Sequence, residues 1–181
     1  MNHSSRSLPR ILTSTIVASL LALALSACNN DAPIEGVEDF GKIKGGNHQE
    51  GRLTYDKTPP VGGAHSGTWQ NCGIYDQPVP VEYAVHSLEH GAAWIAYKPD
   101  LPEADVNKLR ELVKGKPLTL LAPYQYGALD EPVVATAWGV RLKLKDANDP
   151  RLPRFIAKYI NNPNTPEIGA SCGGAYGSPI Q

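Results

Sequence analysis

The chain has 181 residues with 17 Lys or Arg against 18 Asp or Glu, a formal charge of −1 with histidine neutral. That length is enough for one domain with a core of its own. No basic run is present to follow a phosphate backbone, so nucleic acid is not an expected partner.

Residues 1–27 have the pattern of an export leader, with Arg6 and Arg10 as the basic part and IVASLLALAL as an apolar run too short to span a bilayer. The leader ends in Leu25-Ser26-Ala27-Cys28. This ending resembles the lipobox of bacterial lipoproteins, which implies cleavage before Cys28 and lipidation of that cysteine. Three acyl chains anchor a protein stably where one is marginal, so the expected partner is a membrane, reached through the N-terminal lipid. Asn29 stands where the inner-membrane retention signal of enteric bacteria has aspartate, so the expected location is the outer membrane, facing the periplasm. Nothing in the residues names a protein partner. The mature chain, Cys28–Gln181, would carry 15 basic and 18 acidic side chains, a charge of −3.

Residues 28–44 are polar and acidic without a sustained period, which predicts a flexible tether, and residues 45–181 then form a single domain. From Gly45 to Pro80 glycine and proline dominate, which predicts ordered loops and short strands rather than a long helix. Ala92–Tyr97 has the length and aromatic content of a buried strand. A helix follows, with Asp100 as N-cap, Val106, Leu109, Leu112 and Val113 as its apolar face, and Gly115 as its end. Pro117–Ala122 predicts a second strand. Within Val133–Lys145, the alternation of Val140, Leu142 and Leu144 with Arg141, Lys143 and Lys145 predicts a half-buried strand. Asp149-Pro150 opens a second helix, with Leu152, Phe155, Ile156, Tyr159 and Ile160 at helical spacing, and Asn162-Pro163 closes it. The expected fold is α+β: a small, mainly antiparallel sheet with two helices on one face and a long Gly/Pro-rich loop region carrying the histidines at one end.

Four histidines remain after the leader, His48, His65, His86 and His90, each near a glycine where the backbone turns sharply. Imidazole is the commonest protein ligand for zinc, copper, nickel and iron, and His86 and His90 are spaced to share one face of a helical turn. The segment therefore predicts a site for one metal ion. A site of several imidazoles suits copper(II) first and zinc second, and a mature chain without methionine argues against a methionine-rich copper(I) carrier. Two other readings stay open: the histidines hold loops of a metal-free binding lipoprotein, or the domain is a hydrolase. For the latter, His86-Ser87-Leu88-Glu89-His90 matches H-x-x-E-H, in which both histidines bind zinc and the glutamate acts as general base. Gly91 and a strand-like run follow directly, which speaks against the sustained helix such a motif needs. Glu89 is expected instead to orient an imidazole or to hold backbone N–H groups. Trp69, Trp94 and Trp138 are expected in the core.

Cys72 and Cys172 are the only other cysteines, and an oxidising compartment predicts a disulfide that ties the tail GASCGGAYG to the histidine region. The alternative makes Cys72 a thiolate ligand.

The chain resembles DUF3105, a bacterial family of unknown function. The matching residues are Thr58-Pro59-Pro60 through Gly63 to His65, Trp69-x-x-Cys72-Gly73-x-Tyr75, Pro78-Val79-Pro80, Val85-His86-Ser87-Leu88-Glu89-His90-Gly91, Ala122-Pro123 and Thr136-Ala137-Trp138-Gly139. They span roughly Gly46 to Pro166. The resemblance implies an exported or membrane-anchored domain and supplies no reaction.

Overall fold

A computed structural model describes Met1 and residues 32–180. The rest of the leader, Cys28 and the first tether residues fall outside the described residues. Among those described, no helix is long and apolar enough to cross a membrane.

The elements are β1 (Val37–Asp39), β2 (Gly73–Ile74), α1 (Val81–Glu89), β3 (Ala93–Tyr97), α2 (Glu103–Val113), β4 (Thr119–Pro123), β5 (Val133–Ala137), β6 (Val140–Leu144) and α3 (Arg151–Tyr159). They build an α+β fold on one six-stranded sheet of order β1-β6-β5-β3-β4-β2. Side chains alternate across each strand, so the sheet has two apolar faces. Ile95, Leu121, Ala135 and Leu142 meet Val106 and Leu109 of α2 and Leu152 and Phe155 of α3 on one face. Trp94, Ala96, Leu120 and Val134 meet Val81, Ala84, Val85 and Leu88 of α1 on the other. The two helices expected on one face are there, and a third covers the opposite face. Each fully buried aliphatic or aromatic side chain contributes about 1.5–3 kcal/mol, so both faces hold their helices firmly.

The sheet is mixed rather than mainly antiparallel. β1, β6, β5 and β3 pair antiparallel, whereas β3, β4 and β2 pair parallel. The cause is α2, since parallel neighbours need a crossover and the helix between β3 and β4 supplies it. Val133–Lys145 is a hairpin of two strands, not one, with Ala137 opposite Val140 across a tight turn. Asp100 does not cap α2; Pro102 occupies the cap position, without a side-chain cap bond.

The stretch expected to be a flexible tether contributes to the domain. Ile34 is buried in the core cluster that holds Leu152 and Phe155 of α3, β1 pairs with β6, and the Phe40 N–H donates to Gly139 O at 2.9 Å. A three-residue edge strand takes its order from its neighbour's free backbone groups, so it carries no periodicity of its own.

Candidate metal centre

Helix α1 carries the central pieces. Val81, Ala84, Val85 and Leu88 recur at helical spacing and press it onto the sheet. It ends in a Schellman turn: the Gly91 N–H donates to Leu88 O and the Ala92 N–H to Ser87 O, both at 3.0 Å. Gly91 has φ 101°, and a Cβ there would collide with the Asn161 side chain, so only glycine fits. His86 and Glu89 lie within the helix and His90 caps it. The H-x-x-E-H segment is thus helical, and the glycine that argued against a helix is what terminates it.

Two loops bring further side chains to the end of α1. His48 and His65 form an isolated parallel bridge, in which the Gln49 N–H donates to His65 O at 2.7 Å and the His65 N–H to Asn47 O at 3.0 Å. The Gly46 N–H donates to Glu89 Oε1 at 2.6 Å, and a Cβ on Gly45 would strike Glu89 Oε1 and Pro166. The Tyr55 hydroxyl donates to Ala64 O at 2.8 Å, steadying the approach to His65.

His48, His65, His86 and Glu89 converge here, each offering one ligand atom, all within 4.8 Å of one another. His65, His86 and Glu89 are buried, while the His48 side chain is 46% exposed and faces solvent. His65 Nδ1 lies 2.8 Å from Gly63 O and His86 Nδ1 lies 2.7 Å from Ser66 O. A carbonyl oxygen only accepts, so in each neutral ring the proton sits on Nδ1 and Nε2 is a bare lone pair. His65 Nε2 faces Glu89 Oε2 at 2.8 Å; with the ring neutral this sets acceptor against acceptor, and with a proton on Nε2 it is an ion pair. A cation placed between them removes that conflict. Burial pushes the His86 imidazole down to about 4, and the neighbouring imidazoles push the same way against the Ser66 bond.

The spacing suits a small ion. Four ligands about 2.1 Å from a tetrahedral centre stand about 3.4 Å apart. Glu89 Oε2 is 2.8 Å from His65 Nε2 and 3.8 Å from His48 Nε2, on either side of that value. Trp138 closes the cluster edge-on to His65 at 6.1 Å, and Trp69 lies 5.7 Å from the His86 ring. Trp94 and Trp138 lie in the core as expected, Trp138 also walling the histidines, whereas Trp69 is half-buried outside the core, against His86 and His90.

His90 is set apart. Its Nδ1 lies 2.5 Å from Ser171 O, and its Nε2 faces Glu167 Oε2 at 3.3 Å, in a second group made with His86. Sequence reasoning missed Glu167 altogether and gave Glu89 only an orienting or basic role. The signal for Glu167 was the cysteine pair. Cys72 and Cys172 form a disulfide across 100 residues, which brings the tail to the histidines. Cys72 is therefore not a free thiolate.

The family model described as "protein of unknown function (DUF3105)" matches residues 47–174, well over half of the chain. The chain belongs to this family, and the matched segment contains all four histidines, Glu89 and Glu167. No curated protein and no solved structure matches it.

Proposed function

We propose that this domain binds one divalent transition-metal ion through His48, His65, His86 and Glu89, on the periplasmic side of a bacterial envelope to which lipid on Cys28 anchors it. The observation that carries the reading is the buried convergence of ligand atoms, with His65 Nε2 and Glu89 Oε2 2.8 Å apart and the His48 and His86 nitrogens within 4.8 Å of them, on His65 and His86 rings whose Nδ1 is turned to a carbonyl. Rings locked by Nδ1–H bonds to carbonyls are held with the ligating nitrogen outward, as metal-bound histidines are. Three nitrogens and one carboxylate oxygen suit copper(II) and zinc(II), and the Irving–Williams order places copper first. One glutamate offsets part of the ion's charge.

Glu89 is assigned here as a ligand rather than as the general base of a zinc hydrolase. Its Oε1 accepts the Gly46 N–H and its Oε2 points at two imidazoles, which leaves no oxygen directed at a metal-bound water. The anchor rests on the LSAC ending of the leader.

Elemental analysis of untagged protein purified from the envelope should find about one equivalent of copper or zinc. Calorimetry should give a Kd below about 10 μM, roughly −7 kcal/mol. His65→Ala and His86→Ala should abolish this binding, and His48→Ala should weaken it about 10- to 100-fold. Weaker binding than 10 μM for both metals would overturn the reading.

A further inference from the structure

We propose that His90 and Glu167 form a second, weaker metal position beside the first, sharing His86 with it, through which a divalent ion enters and leaves the buried site. This inference rests on the metal reading above and extends it from holding an ion to exchanging one.

His90 repeats the preparation of His65 and His86. Its side chain is 4% exposed, and the Nδ1 proton is committed to Ser171 O at 2.5 Å. Nε2 therefore faces Glu167 Oε2 at 3.3 Å, close to the separation of two ligands on one ion. The ligand atoms of His86, His90 and Glu167 lie within 4.8 Å of one another. Glu167 is held there by its own backbone, whose N–H donates to Glu89 O at 3.1 Å. The disulfide fixes the rest of the tail, with the Cys72 N–H donating to Cys172 O at 2.6 Å.

The two groups differ in donor count rather than in access. Each has one exposed member, His48 at 46% and Glu167 at 45%, but the inner group adds the fully buried Glu89 and His65 to the shared His86, whereas the outer group adds only His90. An ion at the outer position has His90 and Glu167 to itself, and water completes its coordination, so it is held less tightly and released faster. His86 has a single free nitrogen and serves one ion at a time. An ion arriving at the outer position therefore competes for His86 and loosens the inner ion, and ligand exchange replaces full dissociation. Trp69, 4.9 Å from the His90 ring and 5.7 Å from the His86 ring, covers one side of this path.

The test uses the whole mature domain, with zinc(II) titrated by calorimetry and then stripped by a chromophoric chelator in stopped flow. The wild type should show one tight and one weaker class of sites. Glu89→Gln should weaken the tight class selectively, and Glu167→Gln should remove the weaker class and slow release to the chelator about 10-fold. A single class in the wild type, with Glu167→Gln releasing zinc at the wild-type rate, overturns this inference and leaves the inner site standing. No bound zinc and no bound copper(II) in the wild type overturns both.

Discussion

Glu89→Gln separates a metal ligand from a structural ion pair, because the two predict opposite signs in the metal-free protein. Glu89 is fully buried, accepts the Gly46 N–H at 2.6 Å and faces the bare His65 Nε2 at 2.8 Å. Glutamine keeps an oxygen for Gly46 and adds an N–H that donates to His65 Nε2. That is one new buried hydrogen bond, a net gain of about 1 kcal/mol. For a domain of this size the metal-free variant should melt about 2–4 °C above the wild type. With excess metal the order should reverse. Loss of the charged ligand weakens binding about 10- to 100-fold, or about 1.4–2.8 kcal/mol of ligand-derived stability, which exceeds the gain. Calorimetric melts of both proteins in chelator and in saturating zinc(II) measure the two differences directly. The reasoning is refuted if Glu89→Gln is destabilised by about 3–5 kcal/mol in chelator and metal shifts neither protein, since that is the signature of removing one partner from a buried ion pair.

Acid should destabilise the metal-free domain through His86. Its folded-state value is pushed from 6.5 to about 4 by burial, so between those values the unfolded chain binds the proton and the folded one does not. Stability is therefore flat above pH 6.5 on this account and falls as pH drops from 6.5 towards 4; His86→Gln should flatten that slope in denaturant melts across the range, and an unchanged slope would contradict it. Reduction of Cys72–Cys172 should lower stability by up to about 4.7 kcal/mol, the chain-entropy value for a 100-residue loop. Melts with and without reductant measure this, and non-reducing mass spectrometry should find both cysteines joined. Cys28→Ser should move the protein out of the membrane fraction on detergent partition, and unchanged partition would mean that another element anchors it.

Much of the scaffold was legible in the residues. Helices α2 and α3 show apolar side chains at three- and four-residue spacing because each lays one stripe on the sheet and exposes the rest to water. Strand β6 alternates because Arg141 and Lys143 point away from the core that holds Leu142 and Leu144. Strand β5 is buried on both sides along its whole length, so it has no alternation and merged with β6 into one apparent run. Helix α1 buries seven of its nine residues, histidine and glutamate among them, and so lacks the polar stripe that marks a surface helix.

The candidate site divides in the same way. Its chemical vocabulary, the four histidines from His48 to His90, Glu89 and a cysteine pair, is a property of composition and is present in the sequence itself. Which of them meet is not. His48, His65 and His86 come from two glycine-rich loops and a helix, and loop paths are set by backbone bonds such as Gly46 N–H to Glu89 and Gln49 N–H to His65 O, which leave no periodic trace. Tertiary structure alone decided that Glu89 faces His65, that His90 turns to the tail, and that Glu167, unmarked by any motif, arrives there on the chain held by the disulfide.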